Sequence, residues 1–211
     1  MIVDRHVTHG PARSAAAAAG PVLAAGGFGT GEAAGQWHLS RLGGIETVWR
    51  EFTGTGARVG IYDSGVQSTH WDLAANYDAA LHVAIDGIVY DGDDRPWSGP
   101  HGTAVAGLIA AARNGFGTTG VAYGSSITSV NIFDRYSGED FGPGVFIGAR
   151  SAFMPAMAHG SVFDVVNHSW GLSDQIFDPA NTRTTPGTFA HALSQTYALL
   201  AQTGRGGLGT V

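Results

Sequence analysis

An aspartate closes one apolar run of the chain and a histidine opens another, and these two residues carry the strongest chemical signal in the sequence. Asp63 ends the segment Ala57–Asp63 (ARVGIYD) and is followed at once by Ser64-Gly65. A buried strand that ends in a carboxylate presents it at the strand's C-terminal edge, where open α/β sheets build their sites. His101 begins His-Gly-Thr-Ala-Val-Ala-Gly, a helix start in which Gly102 and Gly107 are expected to permit close packing. An acid at a strand end and a histidine at a helix start can meet over one crevice. There the carboxylate fixes the imidazole tautomer and stabilises the imidazolium, while the histidine serves as general base and then acid.

The elements that must position this pair alternate along the chain. Ile45–Glu51 has helical spacing, Ala57–Asp63 reads as a short buried strand, and Gly102–Arg113 (GTAVAGLIAAAR) as a helix. Ser126–Phe133 alternates like a strand, and Phe146–Gly160 reads as a helix disturbed by Pro155. Ser161–Ser169 is a second buried strand and Thr188–Gln202 a long amphipathic helix. Strand–helix order at these lengths predicts an α/β fold with a mostly parallel sheet covered on both faces. Gly204–Val211 (GRGGLGTV) reads as a glycine-rich connection into another strand, as though the domain continued. Residues 1–35 have a different texture: Ser14–Gly27 (SAAAAAGPVLAAGG) is nearly all small residues. Arg5 and Arg13 precede it as in an export signal, but it lacks a core of Leu, Ile or Phe and Gly20-Pro21 breaks it. A flexible leader or linker is the expectation, with the folded part at 36–211.

Composition narrows the chemistry. The chain has no cysteine, so thiol catalysis, disulfides and cysteine-ligated zinc are excluded. The net charge of −6 and a charged fraction of 13% supply no basic stripe for nucleic acid. The nine histidines are scattered without the paired spacing of a zinc helix. No apolar run is long enough to span a membrane.

Taken together, the apolar strand ending in Asp63-Ser64-Gly65 and the later His101-Gly102-Thr103-Ala104-Val105-Ala106-Gly107 resemble the subtilisin-like (subtilase, peptidase S8) serine proteases. His70-Trp71-Asp72-Leu73 resembles that family's His-Pro-Asp-Leu, with Trp71 in place of proline. Asn167-His168-Ser169-Trp170-Gly171 resembles the segment whose backbone pairs with substrate as an added strand. Gln36-Trp37-His38-Leu39 and Gly204-Arg205-Gly206-Gly207-Leu208-Gly209 are most like the kexin/furin branch. The resemblance implies a three-layer subtilisin-like fold and a serine endopeptidase with an Asp-His-Ser triad. Catalytic roles fall to Asp63 and His101, and substrate binding to Ser169, Trp170, Gly171 and Asp174. The family's Gly-Thr-Ser-x-Ala nucleophile segment and its oxyanion asparagine have no match here. The chain by itself is therefore expected to be inactive, and to associate with the remainder of a catalytic domain.

The resemblance also implies a structural calcium ion, with Asp72 and the side chain of Asn114 as ligands beside backbone carbonyls of Phe116 and Thr118. Glu32 is the nearest candidate for an N-terminal ligand. Asp91, Asp93 and Asp94 lie where kexin-like enzymes carry a calcium-rich loop, but read better as a solvated acidic loop. Asp174, and Asp134 after Phe133, match positions where that branch places carboxylates for basic side chains, although Leu172 and Gln175 depart from its pattern. Polypeptide substrates and a secreted or cell-surface location follow from the family. Two other readings stay open. Asp63-Ser64-Gly65 also resembles the aspartic-protease signature, which the βα alternation opposes. The second is a non-catalytic truncated remnant, or a calcium-binding α/β fragment.

Overall fold

The computed structural model describes residues 36–85, 88–94, 99–133, 150–171 and 185–211, with the backbone only at 150–152. The leader expected at 1–35 lies outside them. Two short helices, α1 (Trp37–Leu42) and α2 (Ile45–Val48), lead into strand β1 (Arg58–Asp63). A small antiparallel hairpin of β2 (Ala84–Ile85) and β3 (Ile88–Val89) precedes helix α3 (His101–Ala110) and strand β4 (Ser126–Asn131). Helix α4 (Arg150–Ala158), strand β5 (Val165–His168) and helix α5 (Phe189–Gly207) complete the order.

β1 is the centre of a parallel sheet of order β4-β1-β5. Burial on both faces explains its unbroken apolar run, because each successive side chain enters a different core. Val59 and Ile61 pack with Leu73, Ala106, Ala110 and Ile127 beneath α3. Tyr62 points the other way, into a cluster with Val130, Phe153, Met157, Phe163 and Leu193 beneath α4 and α5. The two-residue period therefore assigns Asp63 to the α3 face. Register makes Asn131 its neighbour on β4 and pairs Tyr62 with His168 on β5.

The two faces differ in depth. Gly102, Ala106 and Ala110 line the inner side of α3, so that helix sits close to the sheet. The opposite face is filled by rings, and Gly60 makes room for one of them. A Cβ there would stand 2.6 Å from Cδ2 of Phe163, which is fully buried.

The structure follows the sequence pattern closely but not everywhere. α4 runs through Pro155 and gives way to a 3-10 turn at His159–Val162. α5 runs beyond Gln202 to a break at Gly204–Gly206, where Arg205 adopts a φ of 53°. The chain then lies beside β5 without forming the strand that was expected there. The Val166 N–H donates to the Val211 carbonyl at 2.8 Å, and the Val211 N–H donates to the Asp164 carbonyl at 3.2 Å. Asp164 anchors this corner by accepting from the Arg58 N–H at 2.8 Å and lying 3.3 Å from Arg205 Nε.

The tight fit at Gly60 sets a stability expectation. Gly60→Ala overpacks the aromatic face and should lower unfolding stability by about 1–3 kcal/mol. Urea denaturation checks this, and the pairing of G60A with Phe163→Leu should recover part of the loss.

Candidate active site

β1 delivers Asp63 to the sheet edge and α3 begins directly above it. The imidazole Nδ1 of His101 lies 2.7 Å from Asp63 Oδ1, which also accepts the Ser64 N–H at 2.7 Å. Asp63 is 1% exposed, whereas the His101 side chain is 60% exposed. The buried partner is thus an acceptor, so Nδ1 carries the proton and Nε2 is left as the basic nitrogen facing outward. The other carboxylate oxygen, Oδ2, is buried and has no hydrogen-bond partner among the described residues. A desolvated carboxylate of this kind interacts strongly with any positive charge that develops on the ring.

Backbone proximity creates the pair. A Cβ on Gly102 would meet the Gly65 carbonyl oxygen at 2.3 Å and Asp63 Cβ at 3.1 Å, so only glycine lets α3 start here. Pro100, the residue before the helix, provides no side-chain cap. The hydroxyl of Ser64 substitutes for it by accepting the Gly102 N–H at 3.0 Å. Ser64 therefore ties the end of β1 to the start of α3. The expectation for Gly107 was wrong: nothing lies within 4 Å of a Cβ built there, and the residue lines an open groove of about 430 Å³ with His70, Leu73 and Thr118.

Asn131 is a supporting residue that the sequence pattern did not reveal. It is buried at the end of β4, donates to the Asp93 carbonyl at 2.9 Å and accepts the Phe133 N–H at 3.2 Å. The acidic stretch is also more built than a solvated loop. Asp93 Oδ1 accepts the Ser68 N–H at 3.0 Å, and its backbone packs over Gly65, where a Cβ would stand 2.4 Å from the Asp93 carbonyl oxygen. Only a polar residue's role in a turn could have signalled this, and Asx-type bonding is common to many turns.

The substrate-binding candidates lie where β5 ends. Ser169 and Gly171 are exposed, and the Trp170 ring is held by Phe133, Phe153 and His168 at 5.5–6.3 Å. Asp174 and Asp134 lie outside the described residues, as does Glu32.

At the far end of α3 the four proposed calcium-site residues are brought to one loop. Asp72 is 3% exposed and accepts from Asn114 Nδ2 at 3.1 Å and the Thr118 N–H at 2.9 Å. Asn114 Oδ1 accepts the Phe116 N–H at 3.2 Å. Asp72 makes no ion pair among the described residues, so a buried negative charge there is balanced only by dipoles. Trp71, standing where the resemblance expects proline, stacks at the surface between His70 and Phe116, each 5.1 Å away.

A parallel sheet flanked by helices, with a buried acid and an exposed histidine at its C-terminal edge, defines a class of α/β site. The comparisons identify which one. Residues 54–206 match the Subtilase family, and the chain belongs to it. It is 37% identical over 143 residues to fervidolysin of Fervidobacterium pennivorans, covering 64% of this chain and 19% of that protein. Neuroendocrine convertase 2 of Bos taurus is 30% identical over 191 residues, covering 83% of the chain and 27% of the relative. Furin-like protease 1 of Drosophila melanogaster is 31% identical over 186 residues, covering 83% and 15%. Among solved structures, fervidolysin superposes with a TM-score of 0.52 at 33% identity over 65% of this chain and 21% of that one. A serine protease of Aeromonas sobria gives 0.52 at 25% identity over 71% and 24%. The chain thus spans about a seventh to a quarter of these proteins' lengths.

Gly102 gives the site a direct test. Gly102→Ala should lower stability by about 1–3 kcal/mol, because backbone must move to relieve the contact. It should also part His101 from Asp63, read by NMR as loss of the protected Nδ1–H resonance of His101.

Proposed function

We propose that this protein is a serine endopeptidase in which Asp63 and His101 are two members of an Asp-His-Ser triad. The observation that supports it best is the 2.7 Å contact between a buried Asp63 and an exposed His101 whose second nitrogen faces solvent. In this reading Nε2 of His101 takes the proton from a serine nucleophile and later gives it to the leaving amine. Asp63 holds the ring orientation and stabilises the imidazolium without itself becoming protonated. Exposed Ser169 and Gly171, with Trp170 between them, offer backbone for a polypeptide laid alongside as an added strand.

The second reading is a non-catalytic remnant, in which the Asp63–His101 pair is kept without a nucleophile. The two separate in one experiment. The 211-residue chain is expected neither to hydrolyse casein nor to be labelled by a fluorophosphonate, whereas the product of the full coding sequence should do both. Absence of hydrolysis by the full product would sink the endopeptidase reading. Asp63→Asn in an active product should reduce kcat by about 10⁴-fold, the size of loss seen when a triad aspartate is neutralised.

Two finer features belong to the same proposal. The relatives include a convertase and a furin-like protease, which supports a preference for Arg or Lys before the cleaved bond through Asp174 and Asp134. Equal rates on Arg and Ala fluorogenic peptides would remove that preference. Among the described residues no helix is long and apolar enough to cross a membrane, and the likeness to convertase and furin-like proteases supports a secreted or cell-surface location.

Calcium is the cofactor the loop suits, with Asp72 and Asn114 holding it together with the backbone of Phe116 and Thr118. An oxygen-ligated ion there would supply the positive charge that buried Asp72 lacks and brace the end of α3. Calcium at a hundredfold excess over its Kd should raise stability by about 2.7 kcal/mol, and chelation should reverse the gain. A melting temperature that does not respond to chelator, or responds equally in Asp72→Asn, would rule this site out.

A further inference from the structure

His168 is the last residue paired in β5, immediately before the exposed Ser169–Gly171 segment. Its register partner on the central strand is Tyr62, immediately before Asp63. The imidazole sits among rings from three separate parts of the chain: Tyr62 at 5.0 Å, Trp170 at 5.5 Å and Tyr197 of α5 at 5.5 Å. Among the described residues its buried Nδ1 has no hydrogen-bond partner, and neither has the buried Nε1 of Trp170. Beyond His168 the ladder with β1 ends; among the described residues the next ones are held by the clamped Trp170 ring and by Ser169 Oγ, which donates to Asn167 Oδ1 at 2.9 Å.

We propose that His168 is a positioning residue: its neutral ring wedges Trp170 in place and so holds Ser169–Gly171 in the extended shape a substrate strand needs, and its protonation releases that segment. This rests on the reading of Ser169–Gly171 as the substrate-binding segment. The chemistry is one of satisfiability. A neutral imidazole tolerates an unpaired ring nitrogen at modest cost. The imidazolium has two N–H donors and a full charge, and among the described residues Nδ1 has no acceptor. Stacked rings offset part of that through cation–π attraction. Among the described residues the groups facing His168 are the phenols of Tyr62 on β1 and Tyr197 on α5, both raised by burial, and Tyr62 already donates to the Ala156 carbonyl at 2.8 Å. His159, from the turn after α4, stands one ring further off, against Phe163. None of these offers a carboxylate to stabilise the cation.

Burial pushes the His168 pKa down to about 4 from its ordinary 6.5. The unfolded chain therefore binds a proton that the folded chain refuses between those values. The stabilising effect of the neutral ring is full above about pH 6.5 and is lost as pH falls through about 4. By the same linkage, a peptide that needs the ordered segment must push the His168 midpoint lower still.

The test is an NMR titration of the His168 ring in the 211-residue chain, with and without a capped Ala-Ala-Lys-Arg peptide, while circular dichroism monitors the fold. The expected result is a peptide-induced fall of the midpoint by at least about 0.3 pH units, a twofold difference in affinity between the two ring states. His168→Met, which fills the nest without titrating, should recover binding that His168→Ala loses and should lack the His168 acid limb. Peptide that binds without moving the His168 midpoint overturns the positioning role and leaves the endopeptidase reading standing. Failure of the folded chain to bind peptide at pH 7 removes the substrate-strand reading, and this inference with it.

Discussion

The structure depends on one close approach, that of Gly102 to the carbonyl of Gly65. Two pieces of backbone meet where most residues would place a side chain, and this brings the first turn of α3 down onto the end of β1. From that contact follow the 2.7 Å Asp63–His101 pair and the capping of α3 by Ser64. The continuing helix then lays Ala106 and Ala110 against Val59 and Ile61. Small residues here do not merely fill space. They set the distance between an acid and a base, and general base catalysis is intolerant of an error of about 1 Å.

The alternation of β1 divides the molecule's work between two faces. Asp63 joins the shallow face beneath α3, while Tyr62, one residue earlier, enters a deep aromatic layer with Phe153, Phe163 and His168. The shallow face builds the Asp63–His101 pair. The aromatic face carries the end of β5 and, through Trp170, the exposed segment beyond it. The candidate catalytic and substrate-binding elements thus share one sheet edge but are supported by different cores.

Much of this was readable in advance, because the signals are local. The apolar run ending in Asp63, the alternation of Ser126–Asn131 and the helical spacing after His101 all reflect periods that a strand or helix imposes on its own residues. Short elements were not readable. α1 spans six residues and the strands of the β2–β3 hairpin two each, too few for a period to show. Gly102 and Gly107 looked alike in sequence, yet the first faces a carbonyl and the second an open groove. The roles of Asn131 and Asp93 were hidden for a related reason, since their partners are backbone groups reached only after the sheet has formed.

The sequence by itself determined the order Asp-Ser-Gly then His-Gly-Thr, the parallel α/β alternation around it, and a site chemistry without thiols. These properties are written in neighbouring residues and need no distant partner. Tertiary structure decided what each group would experience. It buried Asp63 and left His101 exposed, enclosed Asp72 within the Asn114–Thr118 loop, and gathered Tyr62, Trp170 and Tyr197 around His168. Burial and pairing come from atoms brought together across the chain, and in a low-dielectric interior those neighbours fix whether a group can hold its charge.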